Sequence, residues 1–190
     1  MAVALARING IQVGGRNLLK KSMLNKTSSD YLIAHLDFGD NPPLEGEEVT
    51  LSIKGKLGSG RNAFAPYNTD SYNDSYLPQL KLVPGDLGSD GVYRRTGLWK
   101  DVSGNKSLRI YAYPSSATSA STVEWIKLER GNQATDWSPA PEDLPTQKQV
   151  DDAQSKAIRA NTDAIKALGK VALGDSLITH LVPSDQECLS

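Results

Sequence analysis

The sequence predicts a mainly β protein, an antiparallel β-sandwich of jelly-roll type, followed by a C-terminal helix of coiled-coil type. Three observations predict it. Between residues 16 and 141, glycine, proline, asparagine, aspartate and serine recur at short intervals, with runs rich in β-branched and aromatic residues between them. The clearest of those runs alternate apolar and polar residues with a period of two. Beyond Pro139-Ala140-Pro141 the texture changes to a long stretch of helix formers. Residues 1–15 therefore read as a connector, 16–141 as the β domain, 145–172 as an oligomerisation helix, and 173–190 as a tail of unassigned structure.

In the run from Glu48 to Leu57, Val49, Leu51 and Ile53 alternate with Thr50, Ser52 and Lys54, so one face packs and the other meets water. From Ser107 to Tyr113, Leu108, Ile110 and Ala112 point one way, and Arg109, Tyr111 and Tyr113 the other. From Val123 to Glu129, Ile126 and Leu128 oppose Trp125 and Lys127. Tyr31 to Phe38, Leu77 to Val83 and Val92 to Trp99 are shorter candidate strands. The segment Gly58 to Tyr76, dense in Gly, Asn, Asp, Ser and Tyr, reads as a long loop of the kind that binds or moves. Many short strands without an intervening amphipathic helix give two sheets packed face to face.

The helix should start at a capping box formed by Thr146 and Gln149, with Pro145 just outside it. Residues 147–172 contain no proline and only Gly169. Ile158, Asn161, Ile165 and Leu168 make a seam with spacing of three and four, flanked by Val150, Ala157, Ala164 and Val171 at intervals of seven. Such a narrow stripe asks for identical partners, and a polar Asn161 inside it fixes register. The alternative is that the helix folds back onto its own β domain.

Composition removes several classes of function. With 21 basic and 22 acidic residues interspersed and a net charge of -1, no basic face is available for nucleic acid. Cys188 is the single cysteine, so neither an intrachain disulfide nor a cysteine zinc site is expected. His35 and His180 each stand without a second ligand at metal-site spacing. The apolar runs are too short for insertion in a membrane, and Met1 to Leu5 lacks the basic region of an export signal.

The candidate binding residues are tyrosines, whose faces stack on the apolar side of sugar rings. They are Tyr67, Tyr72 and Tyr76 in the long segment, and Tyr111 and Tyr113 beside Arg109 on one strand face. Solvent-side tyrosines also serve simply as strand formers that pair across a sheet. Trp99 and Trp125 are weaker candidates. No catalytic residues are expected: Asp70, Asp74, Asp86 and Asp90 lie in turn-like sequence where aspartate is common for backbone reasons, and no nucleophile elbow exists.

Two stretches bracket the β domain: Gly14-Gly15-Arg16-Asn17-Leu18-Leu19, and Val123-Glu124-Trp125-Ile126-Lys127-Leu128-Glu129-Arg130-Gly131-Asn132-Gln133-Ala134-Thr135-Asp136-Trp137-Ser138-Pro139-Ala140-Pro141-Glu142-Asp143. The pair closely resembles the carbohydrate-binding-like jelly-roll modules in tail and tail-fibre proteins of phages and prophages, and Ile8 to Val13 resembles the connector leading into them. The physical reading beside it is structural: Asn17 bonds nearby backbone, Leu18 and Leu19 are buried, Gly131 ends the last strand, and Trp137 closes the open end of the sandwich near Leu18 or Leu19.

The resemblance implies a virion component made in the bacterial cytoplasm, a homotrimer, other phage tail proteins as partners, and attachment to a host-surface glycan. It also suggests a structural calcium, with Glu124 and Asp136 as oxygen ligands by position. No other cofactor is expected. The alternatives are a purely architectural fibre or decoration module without a ligand, and an accessory module of a glycan-degrading enzyme.

Overall fold

The computed structural model describes residues 7–8, 10–69, 74–100 and 107–179. These divide into two compact units, one ending at Leu144 and one beginning at Pro145. The first unit opens with a hairpin of β1 (Arg7–Ile8) and β2 (Ile11–Gln12). Eight strands follow: β3 (Met23–Ser28), β4 (Leu32–Asp37), β5 (Glu48–Lys56), β6 (Ala63–Thr69), β7 (Asp74–Tyr76), β8 (Val92–Leu98), β9 (Ser107–Tyr113) and β10 (Ser121–Arg130).

These eight form two four-stranded sheets, a first in the order β3-β10-β5-β8 and a second in the order β4-β9-β6-β7. Every pairing is antiparallel. Apart from the β6–β7 hairpin, each strand crosses to the other sheet from its predecessor, which is the winding of a jelly roll.

Period two builds the core as expected. Val49, Leu51 and Ile53 of β5 face Leu108, Ile110 and Ala112 of β9 across the sandwich, all fully buried. Each large apolar side chain removed from water this way contributes roughly 1.5–3 kcal/mol before chain entropy is counted. On β10, Val123, Ile126 and Leu128 are all core residues although 123 and 126 differ in parity. A register shift between Val123 and Trp125 reconciles them: the bulge moves the apolar set back onto the inner face and turns Trp125, Lys127 and Glu129 outward.

Three expectations are corrected. The segment from Gly58 to Tyr76 is not one long loop, because it carries β6 and β7. Pro66 sits within β6 because it turns its carbonyl toward the Leu77 N–H, away from β9, so its missing donor removes no bond from the β6–β9 ladder. Leu77 to Val83 is not a strand but a 3-10 turn at Pro78–Leu80 followed by a single bridge from Leu82 to Phe64. β3 was not expected at all, since its sequence of Met23, Leu24, Asn25, Lys26, Thr27 and Ser28 has one polar face and little apolar signal.

The connector does not stand apart either, since residues 10–15 bond directly to the end of β10. In the second unit, α1 (Gln147–Thr179) starts at the anticipated box: the Thr146 N–H donates to Gln149 Oε1 at 2.8 Å and the Gln149 N–H to Thr146 Oγ1 at 3.3 Å. It runs beyond residue 172, so 173–179 belong to the helix and not to a tail.

Candidate functional site

With Leu108, Ile110 and Ala112 committed to the core, β9 must turn Arg109, Tyr111 and Tyr113 outward. Register then decides their neighbours. Arg109 pairs with Tyr67 of β6 and with His35 of β4, while Tyr67 pairs in turn with Tyr76 of β7. Tyr111 stands opposite Ala65, and Tyr113 opposite Ala63.

The rings meet. Tyr31, just before β4, lies 4.8 Å from Tyr111 between ring centroids; Tyr111 lies 5.0 Å from Tyr67, edge to face; and Tyr67 lies 5.1 Å from Tyr76. Four half-buried tyrosines thus form a continuous ladder across the second sheet, from its β4 edge to its β7 edge. The spacing is close to that between adjacent strands, which is why one ring per strand suffices. Tyr113 extends the surface along β9 and is 43 % exposed, with the Lys81 ammonium 5.0 Å from its ring centroid. Ala63 and Ala65 keep the floor between the rings low.

Burial raises the Tyr31 and Tyr76 hydroxyls above the ordinary tyrosine range, so both stay neutral donors well past neutral pH. Arg61 braces one end of the ladder. Its guanidinium, 7 % exposed, donates to the carbonyls of Ala112, Pro114 at 2.6 Å and Ser29 at 2.7 Å, tying together the segments that carry Tyr113 and Tyr31.

Of the six residues the sequence singled out, Tyr67, Tyr76, Arg109, Tyr111 and Tyr113 share this face, and Tyr72 lies outside the described residues. Tyr31, Lys81 and Arg61 were missed. Tyr31 opens a recognised strand candidate, but its contact with Tyr111 is set by the β4–β9 pairing, which local sequence does not specify.

The other candidates have structural duties. Trp99 is 1 % exposed and packs edge-on to Phe38 in the core, so it offers no platform. Asp86 accepts from the Val83 N–H across the turn at Pro84–Asp86 and pairs with Arg95 at 3.2 Å, while Asp90 pairs with Arg94 at 2.6 Å. Arg94, by its hydrogen bond, holds the Asp90 carboxyl down at about 2. The backbone of Asp74 lies in β7, and Asp70 lies outside the described residues. Glu124 pairs with Lys54 at 3.3 Å, and the Asp136 carbonyl accepts from Lys127 at 2.7 Å. Among the described residues no three His, Cys, Asp or Glu side chains converge as a metal-binding group.

The bracketing motifs meet on the outer face of the first sheet, opposite the tyrosines. Asn17, fully buried, donates to Ser22 Oγ at 2.8 Å and the Ser138 carbonyl at 2.9 Å, and accepts from the Leu19 N–H at 3.1 Å. Glu129 and Lys127, each with its side chain 0 % exposed, lie 3.4 Å apart. Glu129 accepts from the Gly15 N–H, the Thr135 N–H and the Thr135 hydroxyl, at 2.7–2.9 Å. Trp137 is not in the core beside Leu18 and Leu19 but half-buried, 6.5 Å from the Trp125 ring, with its N–H on Ser22 Oγ at 3.2 Å. An open cavity of about 500 Å³ lies beside it, lined by Lys21, Met23, Trp137, Pro139 and Asp143 among others. No family model, no curated protein and no solved structure matches the chain.

Proposed function

We propose that the chain is a non-enzymatic structural component of a phage tail or tail fibre, whose jelly-roll unit attaches the particle to a host-surface glycan through the tyrosine face. The observation that carries the binding reading is the ring-to-ring ladder of Tyr31, Tyr111, Tyr67 and Tyr76 on the outer side of the second sheet. Aromatic faces with hydroxyl and guanidinium donors between them suit the alternating apolar and polar surface of a saccharide. The viral assignment rests on the resemblance of the two bracketing motifs.

The second unit supports assembly. Ile158, Ile165 and Leu168 are 67, 62 and 70 % exposed on α1, and a second and third copy of the same stripe would cover them. Three copies would present three weak sites together and raise avidity without any new contact.

A glycan array probed with the whole chain tests the binding reading. Tyr67→Ala and Tyr111→Ala should each weaken a positive signal by about tenfold, the worth of one stacked ring. Absence of any glycan bound by the assembled protein would leave the architectural role, in which the tyrosines merely pair across strands.

A further inference from the structure

We propose a second saccharide site, separate from the tyrosine face, in the open cavity beside Trp137, where one neutral pyranose stacks on the indole and bonds to Asp143 and Ser22. It goes beyond the reading above and stands on its own if the tyrosines bind nothing. The cavity measures about 500 Å³, within the usual range of small-ligand pockets. Trp137, Met23 and Pro139 give it an apolar wall, and Ser22 and Asp143 are among its polar groups.

The indole is fixed before a ligand arrives. Its N–H donates to Ser22 Oγ at 3.2 Å, and Trp125 flanks it at 6.5 Å between ring centroids. What it offers a ligand is therefore ring surface, and stacking the C–H face of a sugar on that surface requires no further hydrogen bond from the indole. Met23, at the start of β3, leaves a large apolar side chain 45 % exposed beside the same cavity.

Two polar groups keep unused capacity. The Asp143 carboxylate accepts from the Lys21 N–H through Oδ2 at 2.7 Å, and among the described residues its Oδ1 receives no donor. Lys21 makes that bond from a left-handed φ of +50°, a conformation uncommon for a residue with a side chain. Ser22 is 1 % exposed, and its hydroxyl oxygen accepts from both Asn17, at 2.8 Å, and Trp137. Its own proton finds no acceptor among the described residues, and an oxygen of the ligand would satisfy it.

These demands select the ligand. A pyranose presents C–H groups to an aromatic ring while its hydroxyls donate to a carboxylate and accept from a hydroxyl. A wholly apolar ligand would desolvate the carboxylate without pairing it. An acidic sugar would bring its charge against Asp143 and Glu142, neighbours on one 3-10 turn, so the neutral class fits.

The test titrates the full chain with neutral saccharides, glucose, galactose, mannose, N-acetylglucosamine and their short oligomers, while following tryptophan emission. Trp99 is sealed in the core and the tyrosine face holds no tryptophan, so the signal belongs to the Trp125–Trp137 pair. A saturable emission change with at least one of these sugars is expected. Asp143→Asn keeps an acceptor for the Lys21 N–H and removes the second one, and should weaken that binding about tenfold at an unchanged melting temperature. Trp137→Ala should abolish it in calorimetric titration. Calorimetric binding without an emission change places the sugar elsewhere, which overturns this site and leaves the tyrosine face intact. An emission midpoint unmoved in Asp143→Asn, or no neutral saccharide bound at all, overturns it too.

Discussion

At the scale of single residues, the most consequential positions are polar and buried. Lys127 and Glu129 sit on the outer face of β10 with no exposure, and their charges are tolerable only because Thr135, Asp136 and Gly15 supply the remaining partners. Glu129→Leu strands a buried ammonium and should cost about 3–5 kcal/mol, and Lys127→Met should be comparably harmful because it strands the carboxylate. The double variant Lys127→Met with Glu129→Leu should recover a large part of either loss, since apolar residues of similar volume replace a buried pair at little net cost. Denaturant unfolding of the four proteins measures the coupling; additive losses would show that the two charges do not depend on each other. The sequence placed Lys127 on the face away from Ile126 and Leu128, where water was expected, and gave no sign of the pair. What hides them is a segment that crosses back over the sheet, and period two carries no information about that.

At the scale of elements, legibility followed apolar alternation. β5 and β9 were readable because Val49, Leu51, Ile53 and Leu108, Ile110, Ala112 keep period two without interruption. β6 was hidden because Pro66, Asn68 and two alanines are turn or neutral residues by composition, and it is a strand only because β9 and Leu82 pair with it on either side. The tyrosine face was half legible for the same reason: β9 contributed its residues by pattern, whereas Tyr31 joined through pairing.

The helix gives the complementary case. α1 spans 33 residues, about 50 Å, and every residue from 151 to 170 is exposed. The self-association proposed above would cover that stripe with a partner of the same kind. Sedimentation of the full chain should give a trimer that Ile158→Ser with Ile165→Ser converts to monomer. Asn161→Ile should raise thermal stability while admitting other strand numbers, because the polar residue trades stability for register. A parent protein that sediments as a monomer at high concentration would remove the assembly reading.

At the scale of the whole β unit, its two outer faces do different work. The outer face of the first sheet is covered at Lys127 and Glu129 by the segment around Thr135 and Asp136, with residues 12–18 bonded to the end of β10 beside it, whereas the second leaves its tyrosines half-exposed. The two stretches that flank the β domain in sequence are therefore one structure in space, and the chain comes into and leaves the sandwich at the same place.

Two glycines make the crossing possible. A Cβ on Gly131, whose φ is +90°, would stand 2.1 Å from the Gln12 carbonyl oxygen, and one on Gly14 would stand 2.1 Å from that of Arg130. Both obstacles are backbone, so neither can swing aside, and Gly131→Ala adds the strain of a left-handed conformation. Each substitution should destabilise the unit by roughly 1–3 kcal/mol, lowering the melting temperature by several degrees. Because the crossing lies on the sheet opposite the ladder, protein that remains folded should keep its ring contacts and bind saccharide as the parent does. Calorimetry and titration of Gly131→Ala below its melting point separate the two effects. A stability loss with unchanged affinity is the outcome this division of faces requires, and a parallel fall in affinity would mean that the closing segment shapes the tyrosine face through the core.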